Sequence, residues 1–430
     1  MAQRQNWRVL VFPGGMENGI EIYNSLKQCK EVTLFSASSN VPNQAFYLYK
    51  NNNIVADIHR PDWVDDLNKV IEKNKIDIVY PANSLIIDAL SAQKNNIKAK
   101  ILLPGEHVLN ITRSKKRTIA ELQDVIPTPV VYNSIEEITS YPVFIKPDNG
   151  YGAQGARQVD SEQDLADINF NDFVVQELLT GKEYTVDCLS DNDGKLLFSS
   201  GRERSRIRMA TSMHAEAVSE KLDEFFASYA EKILEKIKIS GAWFFQMKED
   251  KKGNLKLLEI DVRIAGTMCY NRCKGVNFPL LSLYLFYNLP VSLNINNVPL
   301  FLDRCLKNRY ILKCNYKTVY IDLDDTIVFR EQINTDIIKF LYQCINQNKR
   351  LILITKHEGK REEYLKKWRI SELFDEIIWL KEDDKKSDYM KEKEAIYIDD
   401  SFSQRQEVVK ALGIPTFDAS MIEALIDERI

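Results

Sequence analysis

The sequence predicts a multidomain protein of the α/β and α+β classes, with a parallel sheet near each end of the chain. Short apolar strands alternate with helical patterns near the start of the chain and again near its end, and this alternation is typical of parallel sheets. Between them, successive strands without intervening helices predict hairpins. The 430 residues have room for two or three domains, and we expect them at 1–105, 106–305 and 306–430.

Composition excludes several classes of function. The net charge of -4 and the absence of a basic patch argue against nucleic-acid binding. Apolar runs fall short of the roughly 20 residues that a bilayer span needs, and the first residues have no signal-peptide core. The seven cysteines are scattered and odd in number, which indicates reduced thiols. We therefore expect a cytoplasmic protein without membrane or nucleic-acid partners.

The first segment predicts four strands, over 8–12, 32–36, 76–80 and 101–103, with helical patterns between them. Gly14, Gly15 and Gly19 follow the first strand, but their spacing does not fit G-x-G-x-x-G. We interpret them as a turn. Pro81–Ser84 follow the third strand, where open parallel sheets bind ligands, so this stretch is a candidate substrate contact.

The stretch Val143–Gly155, VFIKPDNGYGAQG, reads as a buried strand that ends in Lys146 and continues into a glycine loop. Gly150, Gly152 and Gly155 allow successive backbone N–H groups to face one anion. Lys146 adds a compact positive charge that suits a phosphate. The alternative is a tight hairpin with a surface lysine. A P-loop is excluded because no Gly-Lys-Ser/Thr closes the glycine run.

Arginines occupy alternate positions of the stretch GRERSRIRMA. On a regular strand they would share one face, and they would repel each other unless an anion lay among them. This interpretation makes Arg202, Arg204 and Arg208 candidate substrate ligands, together with Arg206 between them. A solvated edge strand, which uses charge to resist pairing, explains the pattern equally well.

A hairpin is predicted from Gly241–Lys248 and Leu255–Ile260, with oxygen-bearing side chains on one face. Gln246 lies on the first strand, and Glu259, Asp261 and Arg263 alternate at the end of the second. Two carboxylates and an amide oxygen suit Mg²⁺ that bridges nucleotide phosphates. Arg263 would neutralise charge on a transferred phosphoryl group. The alternative is an exposed alternating strand.

Taken in order, these segments resemble the ATP-grasp superfamily over about residues 1–300, in particular its carbamoyl-phosphate synthase-like and carboxylate–amine ligase branch. The resemblance implies a Rossmann-like domain before the ATP-grasp fold, and ATP with Mg²⁺ (or Mn²⁺) as cofactors. It implies that ATP contacts the following residues: Lys115, Lys146, Gly152, Gly155, Gln176, Glu177, Leu179 and Glu183. It implies Gln246, Glu259 and Asp261 as metal ligands and Arg263 as the catalytic arginine. The family usually has asparagine where this chain has Asp261.

The last segment predicts three parallel strands that each end in polar residues. Val319–Asp325 runs into DLDDT, Leu351–Thr355 ends in threonine, and Ala395–Asp400 ends in two aspartates. Carboxylates that meet at one edge of a sheet can hold Mg²⁺, and one of them can attack a phosphoryl group to form an aspartyl-phosphate. The alternative is that these aspartates only cap helices.

This order resembles the haloacid dehalogenase (HAD) superfamily of phosphatases, in which DLDDT fits the D-x-D-x-T motif. The resemblance implies Asp322 as nucleophile, Asp324 as general acid–base and Thr355 as phosphoryl ligand. It also implies Asp322, Asp324 and Asp400 as metal ligands, with Asp399 behind Asp400 in the acidic pair. The site of this superfamily also contains a lysine. Lys381, Lys385 and Lys386 are the candidates for it in this chain, and we favour Lys386. The intervals between these residues leave no room for a cap domain, so the site is open or covered by the neighbouring domain.

The predicted function is a fused enzyme. An ATP- and Mg²⁺-dependent ligase would join a carboxylate to an amine through an acyl-phosphate, and a HAD-like phosphatase would hydrolyse a phosphate ester. The partners are therefore small molecules. Two alternatives remain: a kinase with an opposing phosphatase, and a nucleotide-binding regulatory protein with an inactive domain. The oligomeric state stays open, with a homodimer as one option.

Overall fold

The computed structural model describes residues 6–150, 154–208, 211–296 and 298–429. The chain divides into two compact units, residues 1–306 (unit 1) and residues 307–429 (unit 2). Whether unit 1 divides further at residue 105 stays a prediction. Within the described ranges, no helix combines the length and the apolar character that crossing a membrane requires. The seven cysteines are all free thiols.

Unit 1 contains fifteen strands and eight α-helices in the described ranges. The strands are β1 (Trp7–Phe12), β2 (Val32–Ser38), β3 (Asn52–Ile54), β4 (Ile78–Pro81), β5 (Lys100–Ile101), β6 (Val131–Tyr132), β7 (Val143–Pro147), β8 (Arg157–Val159), β9 (Phe173–Glu177), β10 (Glu183–Ser190), β11 (Leu196–Arg208), β12 (Thr211–Ala217), β13 (Gly241–Glu249), β14 (Leu255–Asp261) and β15 (Phe301–Asp303). The helices are α1 (Glu17–Leu26), α2 (Trp63–Asn74), α3 (Ser84–Ala92), α4 (Glu106–Thr112), α5 (Lys115–Leu122), α6 (Glu220–Lys236), α7 (Cys269–Arg272) and α8 (Phe278–Phe286).

The first sheet of unit 1 is parallel, in the order β3-β2-β1-β4-β5. Its central strand β1 is apolar on both faces: Val9 and Val11 belong to one core cluster, whereas Leu10 and Phe12 belong to another. A continuous apolar run of this kind suits a strand that is covered on both sides. The predicted parallel sheet is confirmed.

Two antiparallel sheets complete unit 1, one ordered β6-β9-β7-β8 and the other β14-β13-β10-β11-β12-β15. The predicted hairpin is confirmed as β13 and β14, with Gln246 directly opposite Glu259. On the other face of β13, Trp243, Phe245 and Met247 are fully buried. The alternation of strand side chains therefore anchors β13 in the core and turns the polar side chains towards a cavity.

Unit 2 contains seven strands and four α-helices in its described residues. They are β16 (Thr318–Ile321), β17 (Val328–Phe329), β18 (Gln332–Ile333), α9 (Thr335–Asn346), β19 (Arg350–Thr355), α10 (Arg361–Trp368), β20 (Glu376–Trp379), β21 (Ala395–Ile398), α11 (Phe402–Leu412), β22 (Thr416–Phe417) and α12 (Ile422–Leu425).

The main sheet of unit 2 is parallel, in the order β20-β19-β16-β21-β22. The three predicted strands are its central members, because β16 lies between β19 and β21. Val319 and Ile321 pack into one core cluster and Tyr320 into another, so both faces of the sheet are covered. The carboxyl ends of β16, β19 and β21 consequently lie side by side, which places their polar residues at one edge.

Candidate active sites

Lys146, the penultimate residue of β7, is buried in unit 1. Its ammonium donates a hydrogen bond to the carbonyl oxygen of Leu258 at 2.9 Å. Burial lowers the pKa of Lys146 to about 8, and the nearby carboxylate of Glu259 opposes this shift. A buried ammonium with only a carbonyl acceptor is well placed to bind an anion.

Lys115 begins α5, and its side chain reaches the glycine loop. Its ammonium donates to the carbonyl oxygens of Asp148 and Gly150 at 3.2 and 3.3 Å. Burial also lowers the pKa of Lys115, against the charge of Glu259. Of the other predicted loop contacts, Gly155 adopts a φ of +73°, which favours glycine, whereas Gly152 lies outside the described residues.

A cavity of about 390 Å³ brings many of the predicted residues together. We call it the main cavity. Its polar wall contains Lys115, Lys146, Gln176, Glu183, Arg204, Gln246, Glu259 and Arg263, and its apolar wall contains Phe144, Leu178, Leu179, Ile207 and Phe244. A cavity lined by both apolar and charged side chains suits a nucleotide.

Gln176 and Glu177, two of the predicted ATP contacts, have different surroundings. Gln176 lines the main cavity, and its buried side-chain oxygen has no hydrogen-bond partner within the described residues. Glu177 instead accepts a hydrogen bond from the backbone N–H of Val130 at 2.9 Å. Its carboxylate therefore ties β9 to the chain that precedes β6, and only Gln176 presents a side-chain group to the cavity.

The predicted metal ligands also differ in their contacts. The side chain of Glu259 makes no hydrogen bond or ion pair with any other described residue, and Gln246 lies opposite it on β13. A free carboxylate beside an amide oxygen fits a hard divalent cation. Asp261, in contrast, is engaged by Arg263 Nε at 2.7 Å and Arg113 Nη1 at 3.5 Å. The additional negative charge of Asp261 is thus balanced within the protein.

Ser84, from the candidate stretch Pro81–Ser84, and Arg113, which the sequence did not single out, belong to this cluster. Ser84, the first residue of α3, donates its hydroxyl hydrogen to Asp261 at 2.9 Å and accepts from Arg263 Nε at 3.1 Å. Arg113 also pairs with Asp88 at 2.5 Å. The available signal for Ser84 was its place at the carboxyl end of β4, within the predicted ligand-binding mouth.

The arginine side chains of β11 do not share one face of the strand, contrary to the prediction from the sequence. The pairing of β11 with β12 shifts register between Glu203 and Ile207, so the alternation of side chains is interrupted. The first three arginines each have a carboxylate partner: Arg202 pairs with Asp187, Arg204 with Glu183 and Arg206 with Asp303. Arg208 is exposed and lies outside the residues that line the described cavities. The four arginines therefore do not surround one anion.

Amide substitutions at Glu259 and at Asp261 should separate the roles of these two residues. Glu259→Gln is expected to lower Mg²⁺-dependent ATP cleavage by about 10²-fold or more. The carboxylate of Glu259 forms no ion pair with a described residue, so its full charge is available to a cation, and the substitution removes that charge. Asp261→Asn is expected to cost only about tenfold, because an amide oxygen still accepts from Arg263 or Ser84. Rates of ADP release over a range of Mg²⁺ concentrations measure both effects. Equal inactivity of the two variants would contradict this assignment.

The pKa of Lys146 predicts a pH dependence of nucleotide affinity. With a pKa of about 8, Lys146 is charged below that pH and neutral above it. Phosphate favours the charged form, so the Kd for Mg·ADP is expected to rise by up to about tenfold per pH unit above pH 8. Calorimetric titrations between about pH 7 and pH 9.5 test this. The dependence should vanish in Lys146→Met, and a flat wild-type profile would refute it.

In unit 2, Lys386 bridges two carboxylates at the edge of the parallel sheet. Its ammonium lies 2.6 Å from Asp322 Oδ1 and 2.7 Å from Asp399 Oδ2, and its side chain is 2% exposed. Burial raises the pKa of both carboxyl groups, and the charge of Lys386 opposes the shift. Lys386 is the lysine favoured from the sequence, whereas Lys381 and Lys385 are exposed.

Three carboxylates, Asp322, Asp399 and Asp400, place oxygens within 4.8 Å of one another. This geometry fits a divalent cation. Asp324, which the sequence also predicted as a metal ligand, lies outside the cluster. Its carboxylate contacts His357 Nδ1 at 2.8 Å, because Asp324 stands beyond the end of β16 and is half exposed. The third carboxylate of the cluster belongs to Asp399.

Thr355 ends β19 as expected and is buried, and its hydroxyl oxygen accepts a hydrogen bond from the backbone N–H of His357 at 3.1 Å. No role was predicted for His357, although it follows Thr355 by two residues. From Asp322 to Thr355 the chain forms only the β17–β18 hairpin, α9 and β19. The described residues of unit 2 thus contain no inserted cap domain in this interval.

Comparison with known proteins gives one family match. Residues 169–299 match the family model described as ATP-grasp in the biosynthetic pathway with Ter operon. This segment contains β10 to β14, and with them Gln246, Glu259 and Arg263. No curated protein sequence matches the chain.

Several solved structures have the same architecture at low sequence identity. The biotin carboxylase domain of Hydrogenobacter thermophilus 2-oxoglutarate carboxylase is 14% identical, with a TM-score of 0.57 over 68% of this chain and 72% of that one. Biotin carboxylase from Campylobacter jejuni is 15% identical, with a TM-score of 0.57 over 67% and 73%.

The N5-carboxyaminoimidazole ribonucleotide synthetase PurK is also similar, at 15% identity and a TM-score of 0.54 over 69% of this chain and 80% of that one. These shares approximate the length of unit 1. The order of strands, the antiparallel sheets around the main cavity and the family match agree with each other. Unit 1 therefore has the mixed α/β ATP-grasp fold.

Proposed function

We propose that unit 1 is an ATP- and Mg²⁺-dependent ligase that activates a carboxylate as an acyl-phosphate for attack by an amine or a related nucleophile. The observation that carries this proposal is the main cavity itself. Two lysines whose pKa is lowered by burial, Lys115 and Lys146, line the same cavity as Arg263 and Glu259, whose carboxylate has no ion-pair partner among the described residues. Cations for phosphates and a carboxylate for a metal are the groups that phosphoryl transfer requires.

Each group then has a defined task. Lys115 and Lys146 bind the phosphates of ATP, and the apolar side chains of Phe144 and Leu179 pack against the base. Glu259 and Gln246 hold Mg²⁺, which would neutralise charge on the phosphates. Arg263, fixed by Asp261 and Ser84, is positioned to stabilise charge on the transferred phosphoryl group, and because these contacts exist before the reaction, little reorganisation is needed.

The structural neighbours support ATP as the nucleotide. The Hydrogenobacter thermophilus domain was solved with MgADP, ADP and bicarbonate, and PurK was solved with ADP. Bicarbonate is a small carboxylate-like acceptor. By analogy, we assign a small acid as the phosphoryl acceptor in unit 1 of this chain.

We propose that unit 2 is a HAD-like phosphatase. Asp322 is the nucleophile that attacks a phosphate ester, and Asp324 is the general acid–base. Lys386 keeps Asp322 and Asp399 oriented, and the cluster of Asp322, Asp399 and Asp400 holds Mg²⁺. Thr355 binds phosphoryl oxygens. The supporting observation is the bridge from Lys386 to the two carboxylates at the end of β16 and β21.

A screen of ADP release tests the ligase proposal. Full-length protein with Mg·ATP is mixed with a panel of small carboxylic acids, each with and without a panel of amines. Release of ADP that requires an acid and an amine together supports the ligase. Release that requires only the acid indicates a kinase instead, and absence of ADP release with every pair contradicts catalysis by unit 1.

A further inference from the structure

A second cavity of about 110 Å³ lies beside the main cavity and shares Arg204, Phe244, Gln246 and Arg263 with it. We call it the arginine cavity, because Arg202 and Arg304 also line it. The two cavities meet at the side chains that the proposed reaction uses. A molecule in the arginine cavity would therefore lie next to the phosphate end of a nucleotide in the main cavity.

Arg202 leaves one donor without a partner. Its Nε and Nη2 bind the two carboxylate oxygens of Asp187 at 3.0 and 2.9 Å, and Asn271 holds Asp187 from another side. This side-on contact occupies one edge of the guanidinium and directs Nη1 away from Asp187. Arg202 is 1% exposed, and Nη1 has no acceptor within the described residues. A buried charged donor is costly without an acceptor, so a bound anion would satisfy it.

Arg304 and the first turn of α1 form a different wall of the arginine cavity, where the carboxylate of Glu17 offsets part of the charge of Arg304. Arg304 Nη1 donates to the carbonyl oxygen of Ser212 at 3.0 Å, and Nη2 lies 3.3 Å from Glu17. Helix α1 begins at Glu17, and no side chain caps its first turn. Glu17 and Asn18 line the cavity, so the free N–H groups of this turn add to the attraction for an anion.

We propose that the arginine cavity binds the acid substrate of unit 1, and that this acid carries two anionic groups, each best matched by a carboxylate. One carboxylate lies towards Gln246 and Arg263, and the second lies towards Arg202 and Arg304. The volume of about 110 Å³ favours an acid with a short carbon chain. This inference rests on the proposed ligase function and specifies its substrate class.

The reaction then balances as a single phosphoryl transfer. An oxygen of the first carboxylate forms a bond to the γ-phosphorus of ATP, while the bond from that phosphorus to the β,γ-bridging oxygen breaks. ADP leaves with the electron pair. The acyl-phosphate keeps its second carboxylate at Arg202 and Arg304, which holds the activated carbon in place for the nucleophile.

Gly266 offers a way to fill the cavity without disturbing the fold. A Cβ at this position would lie 3.4 Å from Arg304 Nη2 and 3.5 Å from both Asn18 Oδ1 and Glu17 Oε2. These are ordinary contact distances, and Gly266 is not among the glycines with positive φ. Gly266→Ala is therefore expected to fold normally and to reduce the space for an acid.

Calorimetric titration of the full chain tests the proposal, with Mg²⁺ and a non-hydrolysable ATP analogue present and again without nucleotide. The probes are succinate, butyrate as its analogue with one carboxylate, and 3-phosphonopropionate. We expect succinate to bind at least tenfold more tightly than butyrate, and Gly266→Ala to weaken succinate at least tenfold. Tighter binding of 3-phosphonopropionate than of succinate would contradict a carboxylate as the second anionic group.

Arg202→Lys removes Nη1 but keeps the charge, and Arg206→Lys makes the same exchange at an arginine outside the cavity. Only Arg202→Lys should weaken succinate, and both should bind the ATP analogue like the wild type. Failure of both diacids to bind, equal affinity for butyrate, or unchanged succinate affinity in Gly266→Ala would overturn this inference. Failure of the ATP analogue to bind would instead refute the proposed function.

Discussion

Lys146→Met is expected to lower ATP turnover by about 10²- to 10³-fold, the usual effect of removing one donor that stabilises transition-state charge. Lys146 is buried, and among the described residues its side chain makes a single hydrogen bond, to Leu258 O. Because burial lowers its pKa, the fold already disfavours its charge, and an apolar chain of similar length should fit at little cost in stability. Rates of ADP release and thermal unfolding curves measure the two effects separately.

Lys182→Met is the matched control for this variant. Lys182 lies in the same unit and has an exposed side chain paired with Glu203, but it does not line the main cavity. Its replacement should leave both turnover and unfolding temperature unchanged. Wild-type turnover in Lys146→Met, or a large fall in its unfolding temperature, would show that Lys146 supports the structure and not phosphate binding.

The sequence was informative wherever a pattern is local. Apolar runs such as RVLVF and LILIT predicted strands of parallel sheets, because burial on both faces requires continuous apolar residues. Lys146 was identified from its position between such a strand and a glycine loop, and the acidic pair Asp399–Asp400 from its position after β21. In each case the signal lies within about ten residues, the range over which strand and turn patterns are read.

The contacts that the sequence did not predict join residues far apart in the chain. Ser84 meets Asp261, and Arg202 takes Asp187 as its partner across a strand pair. No local period encodes such pairs. The register shift in β11 had a similar effect, since one interruption of the ladder moves the following side chains relative to the face that simple alternation predicts.

The last prediction concerns unit 2. Asp322→Asn keeps the shape of the side chain but removes its nucleophilic charge, so hydrolysis of a generic phosphate ester is expected to fall at least about 10⁴-fold. ATP-dependent activity of unit 1 should be unaffected, because Asp322 belongs to the separate compact unit. Lys386 keeps Asp399 as a partner in the variant, which limits the loss of stability.

Asp325→Asn makes the same chemical change three residues further along DLDDT, at an exposed residue with a φ of 53°, a conformation that asparagine tolerates well. This control should retain full phosphatase activity. Hydrolysis that survives Asp322→Asn would show that another group attacks the phosphate. Absence of hydrolysis in the wild type, with a range of esters and Mg²⁺, would instead indicate that the three carboxylates of unit 2 serve binding, since a cation can be held there without a reaction.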